Sequence, residues 1–386
     1  MPADETARVV CIRRTAIGRA GGIFRTRTVD QLAGPVIRAV LAETALPAAD
    51  VDAVWLGNIL EGGNVARRCA LGGGLPPATP AFTLERQCTS GLDAICHAVA
   101  LVDGGHAHAI LAGGVESCST APWRVARPAS PTAMPAFMAR APQSVAPYAD
   151  PDPVAGADAL AHDAGIDRAA QDAWTERSHA NAVAAVDDGR FDGERVPVFD
   201  AARPEADESP KRGLTRLRLG RFKPLGGPDG TATAATTAPE ADGAVVALVV
   251  SSSRARALGL TGPALRLDAV AQSGCDPAWP GYAAVPAIRK LGDAATGDAM
   301  ARIEFNEAFA GQTLACLQDA GLPRERVNLH GGALAFGHPY GASGAYLTCR
   351  LFRDLSDRET GLAALSAMGG QGTAALFTKV PAVDAG

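Results

Sequence analysis

Glu85-Arg86-Gln87-Cys88-Thr89-Ser90-Gly91-Leu92-Asp93-Ala94-Ile95-Cys96-His97 is the stretch on which the reading of this chain turns. Upstream of it, Ala81-Phe82-Thr83-Leu84 is a short apolar run with strand character. Downstream, Leu92, Ile95, Cys96, Val99 and Val102 recur at helical spacing, so a helix begins near Ser90 or Gly91. Cys88 therefore sits at a strand-to-helix turn, with Gly91 letting the backbone pass tightly. A helix start aims unpaired N–H groups and a positive dipole end at the sulfur. That predicts a thiolate, the nucleophilic form of cysteine. The competing reading is a plain core cysteine, because free cysteine is among the most buried residue types.

Working outward, the 386 residues are long for one hydrophobic core and suggest two domains or two fused halves. Apolar content of 47% and charged content of 20% describe a globular protein with ample core material. The longest strongly apolar run, Ala244 to Val250, is too short to cross a bilayer, and no membrane partner is expected. The first residues, Met1-Pro2-Ala3-Asp4-Glu5, are acidic where a secretory signal would be basic. Cysteines stand at 11, 69, 88, 96, 118, 275, 316 and 349 with no Cys-x-x-Cys pair, so neither a metal site nor a disulfide framework is expected. The expected compartment is the reduced cytoplasm.

A net charge of −5 speaks against a nucleic-acid binder. Locally, Lys211, Arg212, Arg216, Arg218, Arg221 and Lys223 fall in thirteen residues without an acid. They read either as a solvated loop balanced by Glu205, Asp207 and Glu208, or as a landing site for a phosphorylated ligand.

Strands are predicted at 9–12, 52–57 and 109–116, and helices at 29–41 and 64–71, the latter ended by Gly72-Gly73-Gly74. Such alternation gives an α/β class with helices on both faces of a sheet. Residues 121–153 hold eight prolines and read as a covering loop rather than sheet. Helices return at 157–164 and 168–187, a strand at 243–250, and a second α/β series runs from about Ala264. The two series look alike. Cys88-Thr89-Ser90-Gly91 opens a helix before a strand ending in Gly113-Gly114, and Gly341-Ala342-Ser343-Gly344 opens one before a strand reaching Gly369-Gly370. A duplication would set two such turns face to face across a pseudo-twofold axis.

Three further segments carry possible chemistry: Asn306-Glu307-Ala308-Phe309-Ala310, the glycine-dense loop 331–344 around His338, and the turn Ser366-Ala367-Met368-Gly369-Gly370-Gln371-Gly372. Singly, each has a structural explanation. With Cys88, in this order and spacing, they resemble the thiolase family over nearly the whole chain. Gly62–Arg67, Ala112–Ser117, Asp188–Phe191 and Asp242–Ala244 add to the resemblance.

The resemblance implies a thiolase fold: two duplicated βαβαβαββ halves in a five-layered αβαβα arrangement with an inserted loop domain. The halves would be 1–120 with 239–262, and 263–386, and the insertion 121–238. It implies coenzyme A thioesters as substrates, no bound metal or redox cofactor, and a homodimer or homotetramer. It makes Cys88 the acyl-accepting nucleophile. His338 would lower the thiol pKa and donate to a thioester oxygen, and Asn306 would hold a water in that first oxyanion hole. The N–H groups of Cys88 and Met368 would form a second hole, with Glu307, Gly341 and Gly370 as shaping residues. Arg212, Arg216, Arg218, Arg221 and Lys223 would meet the nucleotide phosphates of CoA.

Two positions depart from the family pattern. Its second active-site cysteine, the acid/base of the carbon–carbon step, is replaced by Ser366. A thiol titrates near 8.5 and a hydroxyl several units higher, so serine is a far weaker base. Ala238 stands where a pantetheine-contacting serine is usual. The acyl group could therefore pass to an enolate, as in Claisen condensation or its reverse, or to an already acidic carbon such as an electron-rich phenol or β-dicarbonyl. The alternatives are an impaired subunit acting in complex assembly and a ketoacyl-synthase-like condensing enzyme.

Overall fold

Val9, Ile12 and Val245 to Val250 are buried positions, β-branched or leucine except for Ala247, and they lie at the centre of one mixed sheet. The computed structural model describes residues 6–199, 203–295 and 299–383, so the acidic residues 1–5 lie outside the described chain. The first half contains β1 (Ala7–Arg14), β2 (Gly18–Arg19), α1 (Val29–Thr44), β3 (Ala53–Gly57), α2 (Val65–Gly72), β4 (Ala81–Leu84), α3 (Ser90–Asp103) and β5 (Ala109–Ser117). Next come β6 (Arg124–Ala126), β7 (Ala136–Met138), α4 (Pro153–Asp163), α5 (Arg168–Asp187) and α6 (Arg216–Leu219). Then come β8 (Ala241–Ser251), α7 (Ser252–Ala257), β9 (Pro263–Gly274), α8 (Ala284–Lys290), β10 (Arg302–Phe305) and α9 (Ala310–Asp319). The chain closes with α10 (Ala333–Phe336), α11 (Ser343–Asp354), β11 (Thr360–Ala367) and β12 (Gln371–Pro381).

The same pairing scheme occurs twice. β3 runs parallel to β5, β5 antiparallel to β8, and β8 antiparallel to β1. In the second half β10 runs parallel to β11, β11 antiparallel to β12, and β12 antiparallel to β9. One antiparallel contact, Val9 with Leu265, joins the halves. Side chains alternate between faces of a strand, and that alternation sorts the core into layers. Val245, Ala247 and Val249 of β8 and Ala363 and Leu365 of β11 share one cluster with α3 and α11. Val246 and Leu248 face α1 and α2 instead, whereas Leu362 and Ala364 face α8 and α9. The halves of the one sheet, joined at β1 and β9, thus serve as two layers, and the order is helix, sheet, helix, sheet, helix, with α3 and α11 in the middle.

Residues 121–153 are mostly irregular, but they are not all loop. Arg124 to Ala126 pairs with Ala136 to Met138 in a two-stranded ribbon apart from the main sheet, braced by Trp123 edge-on to Phe137. Strands of three residues leave too short an alternation to read in the sequence. Among the described residues no helix is long and apolar enough to cross a membrane.

The acids expected to balance the basic stretch are used elsewhere. Asp207 pairs with buried Arg14, Glu208 accepts the Arg19 and Ile23 N–H groups, and Glu205 accepts those of Val198 and Phe199. Glu194 joins Arg14 to Arg350, so a buried ionic cluster ties β1 and α11 to the segment after α5.

Four glycines interlock the halves. A Cβ on Gly57 or on Gly91 would come within 2.6 Å of the Gly341 carbonyl oxygen, and one on Gly114 would overlap it. These are backbone atoms with little room to yield. Gly114→Ala should cost about 3 kcal/mol, the upper end for overpacking. The expected readout is a lowered thermal midpoint together with a displaced 338–344 loop; an unchanged midpoint would contradict the packing.

Candidate active site

Cys88 follows Gln87, whose φ of +53° is left-handed, a conformation that costs a non-glycine residue about 1 kcal/mol or more. Glu85 holds this turn by accepting from the Gln87 N–H at 2.9 Å and from its side-chain amide at 2.8 Å. Ser90 closes it, accepting from Arg86 N–H and donating to the Gln87 carbonyl. The result places the sulfur at the start of α3, as the sequence predicts.

The imidazole comes from the other half. His338 Nε2 lies 3.1 Å from Cys88 Sγ, across 250 residues of chain. His338 Nδ1 is 2.6 Å from Ser343 Oγ, and Asn306 Nδ2, at the end of β10, is 3.4 Å from Nε2. These contacts fit one tautomer, in which Nδ1–H donates to Ser343 and the Nε2 lone pair faces the thiol. Cys88, His338 and Asn306 are all buried. Cys88 and His338 line a cavity of about 310 Å³ together with Ser366, Met368, Glu240 and Tyr340. Val154, Ala157, Pro280 and Phe309 supply apolar walls.

The expected resting thiolate is not what this environment gives. Burial pushes the Cys88 thiol up to about 12, with the Glu116 carboxyl adding to the rise and the local backbone N–H opposing it. Burial also drives the His338 imidazole down, from 6.5 to about 4. Desolvation outweighs the helix start. The pair rests as thiol and neutral imidazole, poised for the proton to cross as the sulfur attacks.

The remaining predicted residues divide by position. Ser366 Oγ, on β11, accepts the Ala284 N–H at 2.8 Å. Gly341 donates its N–H to Glu116 at 3.0 Å, and Gly370 turns the chain at φ +69°. Glu307 does not line the cavity. Its buried carboxyl accepts from Trp174, Ser178, Asn328 and the Leu334 N–H, fastening α5 to the loop before His338. None of the five predicted CoA-binding cations lines the cavity either. Arg212 pairs with Asp187 and Arg216 with Glu176, both on α5. Among the described residues Arg218, Arg221 and Lys223 make no ion pair and are exposed.

Sequence reasoning missed Ser343, Glu116 and Asn58. Glu116 accepts from Asn58 Nδ2 and from the Ile59, Leu60 and Gly341 N–H groups, joining two loops behind the site. Burial lifts its carboxyl to about 8, against the pull of those donors. Ser343 had a visible signal, a hydroxyl five residues after His338 in one glycine-dense loop.

Matches to known proteins agree with this geometry. Residues 7–253 match the family model described as thiolase, N-terminal domain, and residues 262–379 match thiolase, C-terminal domain. The chain is 39% identical over 378 residues to "Putative acetyl-CoA C-acetyltransferase VraB" of Staphylococcus aureus (strain COL), covering 96% of this chain and 98% of that one. It is 38% identical over 382 residues to the protein of the same description from Staphylococcus haemolyticus (strain JCSC1435), covering 97% and 99%. The crystal structure of the Bacillus anthracis acetyl-CoA acetyltransferase superposes with a TM-score of 0.90 at 31% identity, covering 98% of this chain and 100% of that chain.

The resting state is measurable. With the thiol pushed up to about 12, iodoacetamide alkylation of Cys88 should keep rising from about pH 6 to about pH 10. A rate already level below neutral pH would instead reveal a preformed thiolate–imidazolium pair.

Proposed function

The chain belongs to the thiolase family, acyltransferases of the acetyl-CoA C-acetyltransferase kind, and on that premise we propose that it moves an acyl group from acyl-CoA, by way of acyl-Cys88, to a carbon nucleophile. The observation that supports this most directly is the 3.1 Å contact between His338 Nε2 and Cys88 Sγ at a mostly apolar cavity. Neutral imidazole accepts the thiol proton as sulfur attacks the thioester carbonyl, then returns it to the departing CoA sulfur. Ser343 fixes the ring by accepting from Nδ1–H.

Alkoxide character would be met by two sets of donors. His338 and a water held by Asn306 would face the thioester oxygen, and the N–H groups of Cys88 and Met368 the acyl-enzyme carbonyl. Preorganised donors in a dry site are often worth about 3 kcal/mol apiece. Glu307, Gly341 and Gly370 hold these loops in shape. The CoA phosphates would meet Arg218, Arg221 and Lys223, whose charges are free of carboxylate partners among the described residues. Arg212 and Arg216, already paired on α5, would lend only long-range attraction. The substrate chemistry needs no metal or bound redox cofactor. The same reading makes the protein a homodimer or homotetramer, for which the sheet-edge strand β4, with half-exposed Phe82, is suited.

Ser366 shapes the second half-reaction. Its oxygen is occupied by the Ala284 N–H, and a hydroxyl is a poor base at neutral pH. This favours an acceptor carbon that is already acidic, in a specialised biosynthetic C-acylation, over an ordinary thioester enolate.

Incubation with acetyl-CoA should leave an acetyl adduct on the intact protein that disappears in Cys88→Ala. No adduct with any acyl-CoA would favour a role in assembly alone. Ser366→Cys should raise thiolysis of acetoacetyl-CoA by about tenfold or more, since the introduced thiol restores a base several units closer to neutrality. Equal rates in the two proteins would remove Ser366 as the reason for acceptor choice.

A further inference from the structure

The cavity that holds Cys88 is walled mostly by apolar groups, yet a carboxyl–phenol pair with no assigned task stands at its rim, with Glu240 exposed and Tyr340 half-buried. Tyr340 Oη donates to Glu240 Oε1 at 2.7 Å, and both residues line the cavity with Cys88, His338 and Ser366. Two chain segments bring them together. Glu240 lies just before β8, where a bridge pairs it with His338, and Tyr340 follows His338 by two residues. The Tyr340 ring stands edge-on to the imidazole with centroids 5.0 Å apart, so the phenol is aligned with the catalytic histidine. Tyr340 also adopts a left-handed φ of +26°, a backbone cost tolerated where surroundings over-determine the conformation.

Elimination points the same way. Among the other proton-exchanging side chains that line the cavity, Cys88 carries the acyl group in the second half-reaction and His338 serves the first. Asp152 caps α4, accepting from the Val154 and Ala155 N–H groups through Oδ1, and among the described residues no hydrogen bond or bridge ties it to the His338 loop, as the bridge to His338 and the Tyr340 hydroxyl tie Glu240. Ser366 and Thr237 are hydroxyls, poor bases at neutral pH, and the Ser366 oxygen already accepts from the Ala284 N–H. Glu240 and Tyr340 remain. The Tyr340 hydroxyl occupies Oε1 and leaves Oε2 of Glu240 open to accept a proton.

We propose that Glu240, held in place by Tyr340, is the base of the second half-reaction and selects acceptors acidic enough for a carboxylate to deprotonate: polyhydroxyphenols and cyclic β-dicarbonyls. This rests on the acyl-Cys88 reading above. The acceptor gives a proton to Glu240, and the electron pair left on its carbon bonds to the acyl-Cys88 carbonyl carbon. The carbon–sulfur bond breaks, and the departing Cys88 thiolate takes up the proton that Glu240 releases. The sum is acyl-CoA plus acceptor giving C-acylated acceptor plus CoA thiol, with nothing oxidised or reduced. Glu240 touches the reacting proton and is catalytic; Tyr340 is a positioning residue.

The test charges the whole protein with acetyl-CoA and chases it with phloroglucinol or 1,3-cyclohexanedione, following acetyl-Cys88 by intact mass and the acetylated product by chromatography. In Glu240→Gln the acetyl-enzyme should accumulate and drain about 100-fold more slowly or worse, the usual loss when a general base is removed. Glu240→Asp should recover part of that rate, and Tyr340→Phe should fall by about tenfold, between wild type and Glu240→Gln. Accumulated acetyl-enzyme also shows that each variant is folded and competent in the first step. Draining of Glu240→Gln within twofold of wild type overturns the proposal. So does a wild-type enzyme that acetylates neither probe. Absence of any acetyl-Cys88 in wild type would instead overturn the underlying acyl-enzyme reading.

Discussion

The carbonyl oxygen of Gly341 lies where Gly57, Gly91 and Gly114 would otherwise carry a Cβ. Backbone from three first-half segments thus closes on backbone from the second half, with no side chain between. Gly341 donates its N–H to Glu116, which also collects three donors from residues 58–60. Gly344 repeats the approach against the backbone of Leu92. Because the contacts are backbone on backbone, the two helix starts hold one register, and His338 reaches Cys88 at hydrogen-bonding distance. Interiors at this density transmit small displacements rather than absorb them, so the catalytic distance and the glycine contacts are one constraint.

Closeness of this kind also buries the reacting pair. Burial disfavours charge on either partner, raising the thiol and lowering the imidazole although a helix begins at Ser90. A resting ion pair would need solvation that the apolar walls do not offer. Charge then appears only as reaction proceeds, where preorganised donors can meet it. Low dielectric raises the thiol and strengthens each hydrogen bond to the developing oxyanion by the same physics.

Much of this was readable beforehand because it is periodic or local. The predicted bounds of α5, 168–187, are those observed, since its caps and alanine-rich run declare them. The buried strands β5 and β8 show as short apolar runs ending at glycines or serine. Cys88, Asn306, His338 and Ser366 carried family-like motifs around them. What stayed hidden depends on distant partners. Nothing near Gly57 says that a carbonyl 284 positions later will need its empty Cβ space. Glu205, Asp207 and Glu208 sit beside the basic stretch in sequence, but stronger partners claim them, with Arg14 taking Asp207. The rise of the Cys88 thiol is hidden for the same reason, because a helix start is local whereas desolvation is the sum of everything folded around it.

The serine at 366 is best understood through the atom it binds. Its oxygen accepts the Ala284 N–H at 2.8 Å and so secures β11 to the start of α8. Sulfur is a larger and weaker acceptor, so a thiol there would hold that N–H less well and would be freer to exchange protons. The same position can thus favour either structural anchoring or acid/base work, and a hydroxyl tips it towards anchoring. A proton must still leave the acceptor carbon, and it must go to a group facing the same space. Glu240, whose carboxylate accepts from the Tyr340 hydroxyl at 2.7 Å, lines that space. Moving the base from a thiol to a carboxylate lowers its strength by several units. The acceptor must then supply the difference through its own acidity, and substrate choice in the second step follows from which atom does the deprotonation.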